Sequence, residues 1–455
     1  MSSLAVTGYE LRRVLRDRAL PALLLLLVGL STYAAWNGTA WVSQRAAAIG
    51  VVEADLKARL ADMRPFVVKN TASLVFPTTQ LVLPPGSMAA LSIGQADAYP
   101  FTTYFIHPSL DYANLFRNVW ADIGSPTARA AGRFDLAFVI VFLLPLILLT
   151  ATYDLWSRER ERGVANMVLS QPVTIGLLIA VKAMVRALAI LLPSVVIVLG
   201  VAAWAGARTP SGLAAVAATV LAYGCFWLAV VAMINLFMRR STEAAIAAGA
   251  VWLLVVVMAP SLTLAAVDLA APSPSEMRFA AELKARIAEI TERQTSYRAA
   301  KPPAARTPAP RLPDRLRDLY ADRVALDREI TPMIEAHQQA KDARRHLFDT
   351  VRFLLPSVAV QDALDRIAGS DADRALAFQR QARAAHLERQ SLYQKYLDLD
   401  APMTPAEYDN LEGARFHEVG GAFQPGVLAD LAALVTVTLV ILIAASAFRA
   451  RAATP

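Results

Sequence analysis

The sequence is poor in the residues that most often carry chemistry. It has one cysteine, Cys225, and five histidines in 455 residues. One cysteine forms no disulfide within a chain and builds no Cys metal site. His107, His337, His346, His386 and His417 show no i, i+4 pairing, the spacing that sets two imidazoles on one helix face. Solvated surface histidines are therefore favoured over a metal or catalytic role. No Met/His/Cys cluster suits copper. The sequence contains no GxxxxGK[ST] phosphate loop, no HExxH and no GxSxG, so no motif supports a catalytic, cofactor or metal site. Charge is sparse as well, at 18% of residues with a net +7. The arginines cluster beside apolar blocks, which points to a membrane surface and not to nucleic acid.

What the sequence has in excess is apolar residues, 56% of the chain, against about 45–50% in a soluble domain. The excess sits in blocks of about 20 residues, the length a helix needs to cross a hydrocarbon core about 30 Å thick. These blocks are continuous and rich in Leu, Val and Ala, without the ~10-residue alternation of a membrane barrel. Six spans are predicted: 19–36, 134–153, 173–204, 213–237, 244–270 and 427–448. The fold class expected is an all-α, six-span membrane bundle. Residues 1–18, with Leu4, Tyr9, Leu11 and Leu15 among Arg12, Arg13, Arg16 and Arg18, read as a basic amphipathic helix lying on a membrane face. A cleaved secretory leader is the rival reading of this start. The apolar block after it is long for one, which favours a retained anchor.

Two regions fall outside the blocks. Residues 37–133 are mixed and polar, with proline-rich turns at 76–86. Residues 271–425 hold three helix-like stretches, 275–300, 314–350 and 357–398, with a proline-rich linker at 301–313. In the second stretch Leu316, Leu319, Val324, Ile330, Met333 and Ile334 recur at helical spacing. The four basic clusters at 12–18, 158–162, 239–240 and 449–451 all fall on one side if six spans alternate. The positive-inside rule makes that side cytoplasmic. Both termini and the tail 449–455 are then cytoplasmic, and both polar regions are extracytoplasmic.

Ionisable residues in or beside the spans are Asp135, Lys182, Arg186 and Asp268. All lie near predicted ends, where snorkelling to the interface accounts for them. No intramembrane ion pair of a proton- or sodium-coupled carrier is expected. Asn235 is expected to join helices by hydrogen bonding. Pro145 and Pro193 are expected to kink their helices.

The segment 154–172 between the second and third spans carries the most information. It runs Arg158-Glu159-Arg160-Glu161-Arg162-Gly163, then Met167, Val168 and Leu169, then Ser170-Gln171-Pro172. Gly163 allows a bend, and Pro172 suits a first helical turn. By composition it is either a solvated loop or a short helix that docks on a soluble partner. The segment resembles the cytoplasmic stretch of type-2 ABC exporter permeases, where E-R-E-x-G-T precedes L-L-S-x-P-V-S and a later G-K. Glu159-Arg160-Glu161-Arg162-Gly163 matches the first part. Leu169-Ser170-Gln171-Pro172-Val173-Thr174 matches the second, and Lys182 stands at the family lysine. Val164 and Val181 depart from the pattern. Tyr9-Glu10-Leu11-Arg12-Arg13 resembles the interfacial first helix of such permeases.

The resemblance implies an ABC-2 bundle with a mostly helical extracytoplasmic domain, in a bacterial inner membrane. It implies a homodimer or a paired permease, and a separate ABC ATPase docked on the cytoplasmic side. The contact residues expected for that ATPase are Arg158, Glu159, Arg160, Glu161, Arg162, Gly163, Met167, Leu169 and Pro172. The extracytoplasmic insertions resemble those of a bacterial subgroup with uncharacterised outer domains, and leave room for a further partner there. The competing reading is a membrane-anchored receptor or scaffold whose outer helices bind a partner. It needs neither an ATPase nor the charged loop.

Overall fold

The computed structural model describes residues 3–69, 79–106, 109–110, 133–163, 175–272, 274–300, 314–401, 404–409 and 415–448. Six helices are long and apolar enough to cross a membrane. The chain opens with α1 (Ser3–Leu15) and then α2 (Ala19–Lys69). Three short strands follow, β1 (Thr79–Val82), β2 (Thr102–Ile106) and β3 (Ser109–Leu110). They form one antiparallel sheet in the order β1-β2-β3, with Gln80 opposite Tyr104 and Phe105 opposite Leu110.

The helices α3 (136–152), α4 (Ser157–Glu161), α5 (Ile175–Trp204), α6 (Pro210–Phe237) and α7 (Ser241–Ala270) then build most of the bundle. Beyond them come α8 (Glu276–Ala300), α9 (Asp314–Val351), α10 (Pro356–Ala368), α11 (Ala372–Asp398) and α12 (Pro405–Asp409). The last span is α13 (Pro425–Phe448).

The first span does not stop where its apolar block stops. α2 continues unbroken from Ala19 through Trp36 to Lys69, 51 residues, or about 75 Å at 1.5 Å per residue. Nothing breaks the helical ladder at Trp36, so a polar helix grows straight out of the apolar one. Its far end is held by α12, where Arg64 makes a forked pair with Asp409 (2.8 and 2.7 Å) and the Tyr408 hydroxyl donates to the Leu60 carbonyl (3.1 Å).

Both α3 and α7 contain a π turn, at Val139–Leu143 and Leu253–Met258. Each turn is followed within two residues by a proline, Pro145 or Pro260. Proline offers no N–H to the carbonyl four residues back and crowds it, and a widened turn is one way to relieve both. α3 starts on Asp135, whose carboxylate accepts from the Phe138 and Ile93 amides (2.8 and 2.9 Å). α7 starts at Ser241, and Glu243 in its first turn reaches back to accept from the backbone of Arg239 and Arg240 (3.4 and 3.3 Å).

The bundle core is built on α6. Tyr223 and Trp227 are fully buried there, and the Tyr223 hydroxyl donates to the Val141 carbonyl within the α3 π turn (3.0 Å). A second core joins β1, α8, α9 and α11 through Leu81, Phe279, Ile290, Ile330, Ile334 and Phe378. Ile330 and Ile334 of the predicted stripe are buried and Met333 packs against them, whereas Leu319 stays exposed. The stretch expected as one helix over 357–398 is two. α10 ends at Gly369, which adopts φ 72°, and α11 restarts on Asp371, whose carboxylate accepts from the Asp373 and Arg374 amides.

Candidate functional site

The residues of the 154–163 loop close one end of the bundle in a layer of charges. This end also holds α1 and the turn between α6 and α7. Lys182, in the second turn of α5, is 3% exposed. Its ammonium pairs with Glu159 of α4 and lies 3.7 Å from the Glu10 carboxylate of α1. Arg13 completes the set, 3.4 Å from Glu159 and 3.6 Å from Glu10. Two carboxylates and two cations from three separate elements therefore face one another. Lys182 also stands 5.2 Å above the Trp156 ring, a cation–π distance.

A second set lies one turn deeper. Asp154, 6% exposed, accepts from Arg186 of α5 (2.8 Å) and pairs with Arg158 (2.6 Å). Arg186 also donates to the Ala151 carbonyl at the end of α3 (3.2 Å). The link to α6 is Asn235, fully buried. Its side-chain oxygen accepts from the Trp156 and Ser157 amides (3.0 and 3.1 Å). Its amide group donates to the Tyr153 and Val231 carbonyls (2.9 and 3.0 Å). Arg160 reaches the carbonyls of Leu236 and Met238 (3.4 and 3.2 Å), and Glu161 accepts from the Ser241 amide (3.1 Å) and hydroxyl. The loop is thus tied by polar contacts to α1, α5, α6 and α7, while Leu155 joins the apolar core.

Asn235 joins helices as the sequence predicted. The snorkelling expected of Lys182 and Arg186 is corrected. Both point into the protein, because carboxylates on neighbouring elements stabilise them better than the distant interface. Asp135 is not a snorkelling residue either, since it is 4% exposed and caps α3. Asp268 alone remains half exposed, paired with Arg344.

The expected contact residues divide in two. Arg158, Glu159 and Arg160 face inward as joints of the layer, whereas Glu161, Arg162 and Gly163 are exposed, Gly163 at φ 69° with open space around it. Met167, Leu169 and Pro172 lie outside the described residues. Glu10 and Asp154 were not foreseen as site residues. Their signal is geometric: Lys182 and Arg186 stand one turn apart on one face of an apolar helix, and such cations call for carboxylates opposite.

A family model described as "ABC-2 family transporter protein" matches residues 4–450. The chain belongs to the ABC-2 family of transporter proteins. No curated protein matches it. The match covers both the six-span part of this ABC-2 chain and its large helical insertions.

The other end of the ABC-2 bundle carries a second charged constellation, and it overturns the expectation that the spans hold no buried ionisable pair. Asp430, in the second turn of α13, is completely buried, 3.5 Å from Arg352. Arg352 is itself 5% exposed and pairs with Asp362 of α10 (2.8 Å) and Asp349 of α9 (3.0 Å). Asp362 also pairs with Arg366, which reaches Asp373 of α11 (both 2.6 Å). The short helix α10 lies buried against α13 by Val360, Leu364 and Ile367. Sequence reading missed Asp430 because a single carboxylate in a 24-residue apolar helix barely lowers its hydropathy.

Proposed function

We propose that this chain is the membrane-spanning permease subunit of an ABC exporter in a bacterial inner membrane, powered by a separate ATPase. The family supplies the permease class. The observation that carries the mechanism is the charged layer around Lys182, which ties the loop 154–163 to four helices. The basic end faces the cytoplasm. In support, Arg13 meets Glu159, Arg160 meets the carbonyl of Met238, and Phe237 packs on Phe448 (5.6 Å between rings). These contacts gather three arginine-rich clusters and the end of the last span at one face, where positive charge favours the cytoplasm.

The exposed rim of Glu161, Arg162 and Gly163 docks the ATPase, together with the outer face of α1, where Tyr9 and Leu11 are exposed. Nucleotide-driven movement of the ATPase pushes α4. The inward-facing Glu159 and Asp154 pass the push to α5 through Lys182 and Arg186, while Asn235 passes it to α6. Two copies, or this chain and a paralogue, complete the transporter.

Co-expression with an ABC ATPase subunit and affinity pull-down from detergent tests this reading. Replacing Arg162 by Glu is expected to abolish co-purification while the chain keeps its unfolding midpoint. Wild-type chain that retains no ATPase, with full biological function in a strain lacking the ATPase, would overturn the permease reading in favour of an anchored receptor.

A further inference from the structure

The last span begins with an unmatched acid. Asp430 of α13 is fully buried, and neither of its carboxyl oxygens has a hydrogen-bond partner among the described residues. Arg352 Nε lies 3.5 Å away and is itself without an acceptor there. The contact is electrostatic only, with no N–H aimed at the carboxyl. An ionised carboxylate taken out of water with so little in return is costly.

The cations around it are already engaged. Arg352 pairs with Asp349 and Asp362, Arg366 with Asp362 and Asp373, and Arg345 with Asp373. These three arginines and three carboxylates balance without Asp430.

The elements packed on α13 are α6, α10 and the turn 352–354. α6 has no charged residue, and its Tyr223 hydroxyl is given to Val141. α10 brings Asp362, Asp365 and Arg366. Asp365 is held by Ser92 and Gln361. Arg366 crosses the first turn of α13, where an added Cβ at Gly426 would sit 2.8 Å from its guanidinium. Its Nε and Nη1, however, go to Asp362 and Asp373. What comes within hydrogen-bonding reach of Asp430 is the carboxyl of Asp362. Two carboxylates so close repel each other unless one carries a proton.

α10 keeps water away from this pair. It packs on both α6 and α13. Ser357 at its start donates to the Val255 carbonyl within the α7 π turn (2.9 Å).

We infer that Asp430 is a proton-binding site whose carboxyl stays protonated and donates to Asp362 while α10 is seated on α13. When α10 leaves its seat, Asp430 meets water, ionises and gives the proton to the solvent. Seating α10 therefore takes up a proton. It is favoured at low pH and weakens as pH rises. The inference rests neither on an ATPase nor on which end of the bundle faces the cytoplasm.

Infrared difference spectroscopy of the full chain in nanodiscs tests it. Subtracting Asp430→Asn from wild type at neutral pH is expected to leave the C=O stretch of a protonated carboxylic acid. Asp362→Asn removes the acceptor and leaves Arg352 short of an anion. Asp430 is then expected to ionise, and the same stretch to vanish with Asp430 still in place. Its persistence would overturn Asp362 as the acceptor. Asp430→Asn keeps the shape of the neutral acid and is expected to hold the wild-type unfolding midpoint, whereas Arg352→Met lowers it. No such stretch in the first difference, or a midpoint in Asp430→Asn as low as in Arg352→Met, would overturn the proton. Hydrogen exchange over 356–368 reads the link to α10. Corrected for its intrinsic pH dependence, exchange is expected to quicken with pH in the wild type and less steeply in Asp430→Asn. Equal slopes would overturn that link.

Discussion

Lys182 is the residue on which the charged layer balances. Removing it leaves Glu10 and Glu159 facing each other with Arg13 as the only remaining cation. Breaking a buried pair in this way costs about 3–5 kcal/mol, because the abandoned charge stays desolvated. Lys182→Met is therefore expected to lower the unfolding midpoint sharply in detergent, whereas Arg12→Ala, at an exposed position of α1, stays within about 0.5 kcal/mol of the wild type. A Lys182→Met chain as stable as the Arg12→Ala chain would remove the layer from the stability account.

Asp365 makes a different residue-scale prediction. It is fully buried in α10, and burial pushes its carboxyl up to about 8, against the hydrogen bonds from Ser92 and Gln361. The folded protein thus holds a proton that the unfolded chain releases near pH 4. The stability tied to that proton is complete below about pH 4. It declines as pH rises, and it is gone once pH passes about 8. Unfolding midpoints measured from pH 5 to 9 are expected to fall in the wild type and to fall less steeply in Asp365→Asn.

At the scale of elements, close backbone approach decides where substitution is tolerated. Gly38 of α2 passes so near the loop between β1 and β2 that an added Cβ would sit 2.3 Å from the Ala90 carbonyl oxygen. Gly249 of α7 faces open space. Gly38→Ala is expected to destabilise by about 1–3 kcal/mol. Gly249→Ala should leave stability unchanged or raise it by up to about 1 kcal/mol. The pair is compared by thermal unfolding, and equal effects would mean that the α2–loop contact is dispensable.

The element scale also separates what the sequence made legible from what it did not. Block length and hydropathy gave the six spans, because each span is a property of its own residues. The extension of α2 past Trp36 was missed, since the apolar block ends there and Asn37-Gly38 is a dipeptide that usually marks a turn, yet the helix runs through it. The direction in which Lys182 points was missed for a related reason. It depends on Glu10 and Glu159, 172 and 23 positions away in the chain, and no local pattern reports such partners. Asn235 was readable because an amide near the end of so apolar a helix needs partners wherever they come from.

For the whole molecule, the arrangement of arginines makes a prediction about sides. Cys225 is the only cysteine, so Cys225→Ser gives a background for single reporters. Cysteines at Arg162 and Arg239 are expected to react with a membrane-impermeant maleimide only in inside-out vesicles. Cysteines at Arg278 of α8 and Arg383 of α11 should react only in intact spheroplasts. Labelling of all four from the same side would reverse the assignment of the helical region to the outer face. The same scale explains how two charged constellations coexist in so apolar a chain. Each sits at one end of the bundle, where helices begin and end and backbone groups supplement side chains.

The length of α2 gives the molecule a mechanical property. About 30 Å of the helix suffices to cross the hydrocarbon, which leaves an arm of about 45 Å beyond it. Gly50 and Pro65 lie within that arm, and the helix runs unbroken through both. A tilt of about 10° in the first span would therefore sweep the arm's tip through about 8 Å. That tip is fastened to Tyr408 and Asp409. Any small rotation of the first span inside the bilayer would thus be geared up into a displacement as wide as a side chain is long.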